Sequence, residues 1–205
     1  GVSAGLAAEG YHPVVTTYAT FVTMRSCEQI RHYLGYMNLK IVVVGSGAGL
    51  SQGYSGNTHY TIEDISMMRA IPNLQILSPA DGASAVKLSL VSEKPVYMRL
   101  TGNLNCPIVY HKDVPFAFGS SNKIKEGKDV TIFACGTMVS TAMNAANTLE
   151  KHGIDVRVID MYSIKPIDMQ AILDARDSRL FVTIEEHSKI GGLGAAVAEV
   201  MSEYT

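Results

Sequence analysis

The alternation of strand-like and helix-like segments is the feature that most constrains the fold of this chain. Short runs rich in β-branched residues recur along all 205 residues, each bounded by Gly, Pro or Asp, and stretches with helical spacing separate them. The predicted strands are mostly apolar on both faces, as in sheets that helices cover on both sides. We therefore predict an α/β protein with two doubly wound, mainly parallel-sheet, three-layer domains.

The predicted elements follow one another in regular order. The strands cover residues 14–18, 40–44, 74–77, 95–100, 129–135, 155–161 and 180–184. The helices cover residues 27–36, 62–70, 80–91, 139–151, 167–176 and 193–201. Residues 101–128 break this rhythm because they are rich in Gly and Pro and have no helical period. We predict a first domain over residues 1–114, a linker over 115–128 and a second domain over 129–205, with both domains truncated at the chain ends.

Composition excludes several classes of protein. The 17 basic and 19 acidic residues give a net charge of −2, which argues against nucleic-acid binding or a polybasic membrane anchor. The longest apolar runs are strand-sized, far short of the ~18 residues that span a bilayer. Cys27, Cys106 and Cys135 form no C-x-x-C pair, so neither a disulfide framework nor a zinc site is indicated, and we predict a cytoplasmic protein.

The densest glycine segment, residues 45–56, follows a predicted strand but matches no nucleotide-binding motif. It contains neither G-x-G-x-x-G in the required phase nor a P-loop. It does contain G-x-S-x-G, which leaves open a serine hydrolase built from Ser51, Asp160 and His187. A nucleophile elbow requires a helix after the serine, and the residues after Gly53 are not helix formers, so this alternative is disfavoured.

Two places near predicted strand ends carry candidate site residues. His59 ends the glycine-rich loop, where open α/β sheets bind ligands, and its unperturbed pKa near ~6.5 suits proton transfer. A histidine that only anchors the loop is an equally open interpretation. Tyr18 and Phe21 end a strand and could present a ring to a flat heterocycle, with core packing as the alternative. Arg25 and Gln29 stand at i, i+4 on one helix face, which alone indicates an ordinary solvated face.

Several segments, taken in order and at their spacing, resemble the transketolase group of thiamin-diphosphate enzymes. The resemblance extends over essentially all 205 residues. The segments that carry it are Pro13 to Phe21, Cys27 to Arg31, Gly56-Asn57-Thr58-His59, Ile62-Glu63-Asp64, Met68 to Asn73, Pro95 to Leu100, Glu185-Glu186-His187 and Gly191 to Gly194.

The resemblance implies a role for each candidate residue. Residues 1–114 would form the pyrimidine-binding domain, in which the aminopyrimidine of thiamin diphosphate stacks on Phe21 with Tyr18 nearby. His59 matches the active-site histidine that contacts the substrate. Arg25 and Gln29 would support the subunit interface or the floor of the site. The implied activity is transfer of a two-carbon ketol or acyl unit from a ketose or 2-oxo donor to an aldehyde acceptor.

The resemblance also implies that this chain holds only part of the cofactor site. The glutamate that hydrogen-bonds the pyrimidine ring in the family would lie nine residues before Gly5, ahead of Gly1. The G-D-G and Asn pattern that holds Mg²⁺ and the diphosphate does not occur, so we expect no metal ligand here. We predict an N-terminal diphosphate-binding section or a separate partner subunit, within a homodimer or heterotetramer.

Three departures from the family pattern leave the substrate open. Ser55 and Asn57 stand in the run that reads Asp-Gly-Pro-Thr-His in sugar-phosphate transketolases. Gly47 replaces a donor-binding histidine, and Gly102 replaces an arginine that grips the substrate phosphate. The alternatives are the β subunit of a 2-oxoacid dehydrogenase E1, an enzyme like 1-deoxyxylulose-5-phosphate synthase, or a non-catalytic partner subunit.

Overall fold

The computed structural model describes residues 1–91, 94–101 and 105–204. Strands and helices alternate through these residues and form two sheets covered by helices, which confirms the predicted α/β class. The strands of the described residues are β1 (Val14–Tyr18), β2 (Val42–Ala48), β3 (Gln75–Leu77), β4 (Val96–Thr101), β5 (Asn122–Lys125), β6 (Val130–Ala134), β7 (Val156–Asp160), β8 (Ser163–Lys165) and β9 (Leu180–Ile184).

The helices lie between these strands. The α-helices are α1 (Val2–Ala8), α2 (Cys27–Gln29), α3 (Asp64–Arg69), α4 (Gly82–Leu90), α5 (Met138–Glu150), α6 (Met169–Asp174) and α7 (Leu193–Tyr204). Two segments, Phe21–Arg25 and Ile30–Tyr36, are π-helical and flank α2. Within the described residues, no helix is both long and apolar enough to cross a bilayer.

The first sheet has the strand order β1-β2-β4-β3-β8. Its first four strands are parallel, and β8 pairs with β3 antiparallel. The carboxyl ends of β1 and β2 therefore meet at one edge of the sheet, where ligands of open α/β sheets bind. In the second sheet, ordered β5-β7-β6-β9, only β5 is antiparallel.

Local sequence explains where the better-defined helices begin. Asp81 caps α4: its Oδ1 accepts from the Ser84 backbone N–H at 2.8 Å, and the Ser84 hydroxyl accepts from the Asp81 N–H at 3.1 Å. Asp168 caps α6 by accepting from the Ala171 N–H at 3.0 Å. Each cap satisfies amide groups that the first helical turn leaves without a partner.

The structure differs from the sequence-based expectation at three strands. β2 continues through Gly45 and Gly47 to Ala48, into the segment predicted as loop. β5 lies within the predicted linker and belongs to the second sheet, whereas β8 joins the first sheet from the second half of the chain. Both added strands are short, and each pairs antiparallel with a strand that is distant in the sequence. A local sequence pattern therefore does not predict them.

One apolar core connects the two sheets. Ile65 and Ile76 from the first half are fully buried in the same cluster as Met161, Ile172 and Leu193 from the second half. The two halves therefore pack against each other through buried side chains, and the loops between them are held from both sides.

Candidate functional site

Three aromatic side chains meet where β1 ends. Tyr18 is the last residue of β1, Phe21 begins the first π-helical segment, and His59 lies in the loop after β2. The ring centroids are separated by 5.7 Å for Tyr18 and Phe21, 5.8 Å for Tyr18 and His59, and 5.3 Å for Phe21 and His59. All three pairs meet edge to face, a favourable aromatic geometry. We call these three residues the ring cluster.

The ring cluster is accessible from solvent. Tyr18 keeps 38% of its surface exposed, and Phe21 and His59 are half-buried. Phe21 stands at the start of a π-helical turn, a rare conformation that is frequent at functional sites. The Thr23 hydroxyl donates to the Ala19 carbonyl at 2.7 Å and supports this turn.

Gly47 makes room for the Tyr18 ring. Its φ of +64° is a conformation that side chains rarely adopt, and a Cβ there would lie 3.0 Å from Tyr18 Cδ1 and 2.8 Å from Gln52 Cγ. The ring of Tyr18 therefore packs directly on the backbone at the end of β2. The family resemblance would have a histidine at this position, and in this chain the neighbouring space holds Tyr18 and Gln52.

A closed loop carries His59. The backbone groups of Gly49 and Thr61 bond to each other at 2.8 and 3.2 Å, which closes the base of residues 50–60, here called the His59 loop. His59 Nδ1 lies 2.9 Å from the Thr58 hydroxyl oxygen, and the His59 N–H donates to the Gly56 carbonyl at 3.1 Å. When the Thr58 hydroxyl donates to Nδ1, His59 Nε2 carries the proton and can donate it to an oxygen atom.

The two other predicted site residues lie in different places. Arg25 places its guanidinium carbon 4.3 Å from the centroid of the Phe21 ring, a cation–π contact. Gln29 is exposed and lines a small groove of about 110 Å³ with Ser3 and Val15, and the ring cluster does not line that groove. The structure therefore brings Arg25 to the ring cluster but not Gln29.

A buried charge network connects β4 to the start of α3. Asp64, the first residue of α3, accepts from the Tyr97 hydroxyl at 2.7 Å and from Arg99 Nε at 2.9 Å. Asp64 and Tyr97 are fully buried and Arg99 is 2% exposed. We call these three residues the buried charge network. Arg99 also donates from Nη2 to the Glu186 carbonyl at 2.7 Å.

The electrostatics of the network follow from burial and from Asp64. Burial and the Asp64 carboxylate raise the pKa of the Tyr97 hydroxyl well above its usual value. Burial lowers the pKa of the Arg99 guanidinium, but the Asp64 carboxylate, together with Tyr97 and Cys135, outweighs this, so the Arg99 pKa is raised. The sequence contains one indication of this network. Arg99 lies within the apolar run Pro95 to Leu100, and a buried cation requires a partner. Sequence analysis used this run only for the family resemblance.

His187 extends the network without completing a hydrogen bond to it. Its side chain is fully buried, and Nε2 lies 3.8 Å from Asp64 Oδ1. Within the described residues, neither of these two atoms has a hydrogen-bond partner. His187 Nδ1 lies 2.7 Å from the Ser188 carbonyl oxygen.

These contacts contradict the serine-hydrolase alternative. A catalytic relay requires the histidine to bond both the serine and the aspartate. His187 has one ring nitrogen against the Ser188 carbonyl and the other without a partner in the described part of the chain. Asp160 instead accepts from the Tyr110 hydroxyl at 2.5 Å.

The two glutamates after β9 hold different parts of the structure. Glu185 accepts from the backbone N–H groups of Leu193 at 2.7 Å and Gly194 at 2.9 Å and so caps the start of α7. Glu186 accepts from the Leu50 N–H at 2.6 Å, at the start of the His59 loop. A search of residues 1–91, 94–101 and 105–204 finds no group of three or more His, Cys, Asp or Glu side chains that could hold a metal ion.

The substrate-related departures are only partly visible. Ser55 ends a short 3₁₀ turn, Gly53–Ser55, and Asn57 is exposed in the His59 loop. Gly102 lies outside the described residues.

Together, the structure shows an α/β protein in which two aromatic rings and an imidazole meet at an accessible sheet edge, with the Arg25 guanidinium over the Phe21 ring. Residues 1–106 match the family model of the transketolase pyrimidine-binding domain, and residues 119–205 match that of the transketolase C-terminal domain. The chain belongs to the transketolase family.

Known relatives share nearly the whole length of this chain. It is 39% identical over 208 aligned positions to one subunit of the apulose-4-phosphate transketolase of Phocaeicola vulgatus, covering 99% of this chain and 66% of that protein. It is 38% identical over 207 positions to the SqwH subunit of the 6-deoxy-6-sulfo-D-fructose transketolase of a Clostridium species, covering 99% of this chain and 64% of that protein. The chain therefore spans slightly less than two thirds of the length of these curated relatives.

A solved structure described as a split gene transketolase, inactive beta4 tetramer, has the same fold. The sequences are 44% identical, the TM-score is 0.89, and the match covers 99% of this chain and 67% of that one. The likeness therefore extends over both sheets.

Proposed function

We propose that this chain is part of a thiamin-diphosphate-dependent transketolase that moves a two-carbon ketol unit from a ketose donor to an aldehyde acceptor. The observation that carries the proposal is the 5.3 Å separation of the Phe21 and His59 rings at the solvent-accessible edge of the first sheet. A ring that can stack and an imidazole that can move a proton are two of the groups that such a site requires from this half of the enzyme.

Each residue of the site has a role in this proposal. Phe21 holds the aminopyrimidine ring by stacking on the face opposite the Arg25 guanidinium, with the Tyr18 and Phe21 rings edge to face. When bound, thiamin diphosphate supplies the electron sink for breaking and forming the carbon–carbon bond. His59, oriented through Nδ1 by Thr58, donates a proton from Nε2 to a substrate oxygen or accepts one from it. Gln29 supports the subunit interface rather than the cofactor.

We assign the diphosphate and Mg²⁺ to an N-terminal section or a partner subunit. The described part of this chain offers no cluster of metal ligands that fits Mg²⁺. The names of the relatives, which describe single subunits of transketolases and a split gene transketolase, support assembly with a partner. The working site then lies between the two chains, within a cytoplasmic homodimer or heterotetramer.

We also propose a division of the chain into domains. The pyrimidine-binding domain covers residues 1–114 and the C-terminal domain covers residues 129–205, and the two family matches support this division. β5, within residues 115–128, pairs with β7 and is therefore part of the C-terminal sheet.

The substrate is a ketose that this site distinguishes from an ordinary pentose phosphate. Gly47, on which Tyr18 packs, has no side chain that could contact the ketose donor. Ser55 and Asn57 replace residues of the sugar-phosphate pattern. Two relatives are named for apulose 4-phosphate and for 6-deoxy-6-sulfo-D-fructose. These two ketoses are the first donors to test.

The experiment reconstitutes the chain with a diphosphate-binding partner, thiamin diphosphate and Mg²⁺. Ketol transfer from each donor to an aldehyde is followed by mass spectrometry of the products. Phe21→Ala should weaken cofactor binding about 5- to 150-fold, because stacking on an aromatic ring contributes ~1–3 kcal/mol, whereas Tyr204→Ala, on α7, should leave it unchanged. Absence of transfer with every donor, together with lipoamide-dependent acyl transfer, would replace this proposal by the E1 β-subunit alternative.

A further inference from the structure

Glu186 connects the C-terminal half of the chain to the loop that carries the candidate catalytic histidine. It lies two residues past β9, and its Oε1 accepts from the Leu50 N–H at 2.6 Å. Charge-assisted hydrogen bonds of this length are about twice as strong as neutral ones. The first residue of the His59 loop is therefore tied to a side chain 136 positions away in the sequence.

The backbone beneath Glu186 is shaped to receive it. Gly49 has a φ of +74°, and a Cβ there would lie 2.5 Å from Glu186 Cδ. The missing side chain allows the carboxylate to reach Leu50 directly. Gly49 is also hydrogen-bonded to Thr61 across the base of the loop. The Glu186 contact therefore supports the residues at the beginning of the loop and, through them, those at its end.

The main chain around Glu186 is fixed independently of its side chain. Its carbonyl accepts from Arg99 Nη2 at 2.7 Å, and Arg99 is held by Asp64. The Ser188 N–H donates to the Ile62 carbonyl at 2.8 Å, just past the other end of the loop. Residues 186–188 therefore contact the chain at both ends of the His59 loop: the Glu186 carboxylate binds the Leu50 N–H at its first end, beside the Gly49–Thr61 backbone bonds that close the loop base.

We propose that Glu186 is a positioning residue: its carboxylate fixes the His59 loop and so sets where His59 stands relative to the Phe21 ring. The effect on turnover rests on the proposed transketolase function, whereas the effect on loop order does not. A displacement of about 1 Å at a reacting group can reduce turnover about a hundredfold.

The test compares Glu186→Ala, Glu186→Gln and Glu185→Ala in the assembled enzyme. Gln keeps an oxygen acceptor for Leu50, so it should restore the function that Ala removes. Glu185→Ala is the matched control, because it removes the neighbouring carboxylate that binds backbone N–H groups of α7 rather than of the loop.

Two measurements separate positioning from general stability. In hydrogen exchange by mass spectrometry, Glu186→Ala should speed exchange of residues 50–61 at least about tenfold, with α5 unchanged. In steady-state kinetics, it should lower kcat about ten- to a hundredfold with KM changed less than about threefold. Glu186→Gln and Glu185→Ala should both stay within about threefold of the parent kcat.

Three outcomes would overturn the proposal: unchanged loop exchange in Glu186→Ala, a parent-like kcat in that variant, or a loss in Glu186→Gln as large as in Glu186→Ala. A parent enzyme without any transferase activity would refute the proposed function instead, and loop exchange would then still test the positioning role.

Discussion

The ring cluster and the buried charge network differ in burial, in charge and in the contacts that their side chains make. The rings are half-buried or exposed and meet edge to face, and the His59 side chain contacts the Thr58 hydroxyl through Nδ1. The charged side chains are sealed from solvent, and Tyr97 and Arg99 both donate to Asp64 Oδ2. Reactive groups require access and a free hydrogen-bonding atom, whereas a fixed scaffold requires neither.

This contrast indicates that one segment serves two purposes. The middle of the His59 loop carries the imidazole. Contacts at the two ends of the loop fix the position of the loop. The following predictions test whether the two regions separate in this way, so that one governs stability and the other governs activity.

The largest expected effect is the loss of stability in Arg99→Met. The substitution leaves the Asp64 carboxylate buried without its cation, and breaking a buried pair in this way costs about 3–5 kcal/mol. Urea unfolding followed by circular dichroism measures the change. The double variant Asp64→Asn/Arg99→Met should be more stable than Arg99→Met alone, because no ion is left buried. A loss below about 1 kcal/mol would indicate that the network is not a structural anchor.

The opposite behaviour is expected for His59→Ala. Removal of a general acid or base typically lowers turnover about 10²–10⁴-fold, whereas truncation of a half-buried side chain should change the free energy of unfolding by less than about 1 kcal/mol. Kinetics of the assembled enzyme and urea unfolding of the same preparation provide both values. His152→Ala, at an exposed histidine after α5, is the control and should change neither. Parent-like turnover in His59→Ala would leave only the loop-anchoring interpretation of this histidine.

A second buried carboxyl, that of Asp160, sharpens the comparison because, within the part of the chain that the structure describes, it forms no ion pair like that of Asp64 with Arg99. Asp160 is fully buried and bonds to the Tyr110 hydroxyl, and burial raises the pKa of its carboxyl to about 8. The folded-state pKa exceeds the unfolded value of ~3.9. The stabilisation by the neutral carboxyl is therefore complete below about pH 4 and is lost as the pH rises through about 8.

Asp160→Asn cannot ionise, so its stability should depend less on pH than that of the parent. As the pH rises from about 4 to about 8, the difference in the free energy of unfolding between the parent and Asp160→Asn should change by up to about 1.4 kcal/mol per pH unit. Urea unfolding between about pH 5 and 9 measures it, and Asp174→Asn, at an exposed position, should follow the parent. Equal slopes for the parent and Asp160→Asn would show that this carboxyl ionises normally in the folded protein.

Much of the architecture was predictable because it depends on local pattern. The apolar runs that form β1, β6, β7 and β9 were placed within one or two residues, because runs rich in β-branched and aromatic residues are typical of strands, both buried ones such as β6 and β7 and more exposed ones such as β1 and β9. β5 and β8 were not predicted. Each is held by antiparallel pairing with a strand distant in sequence, which no local window contains.

The site divides in the same way. A ring at the end of β1 and a histidine in the next loop were recognisable as neighbours, because the carboxyl ends of parallel strands share one edge. The pairing of Asp64 with Arg99, 35 positions apart, was not recognisable from spacing. Gln29 was grouped with Arg25 by helical spacing, but the π-helical segments on either side of α2 change that spacing.

The smallest expected effect concerns the backbone on which the ring cluster rests. Gly47→Ala should destabilise the protein by about 1–3 kcal/mol, because a side chain at φ +64° is strained and its Cβ would meet Tyr18 and Gln52. Gly53→Ala is the matched control: it lies in the His59 loop, has no such φ and has open space around its Cβ, so it should change stability by less than about 0.5 kcal/mol. Because Gly47→Ala displaces Tyr18 rather than His59, kcat should fall less than in His59→Ala while the affinity for thiamin diphosphate decreases. Equal stability of the two alanine variants would mean that Tyr18 can move away from Gly47 without lowering the free energy of unfolding. The ring cluster would then be a mobile surface group rather than a preformed site.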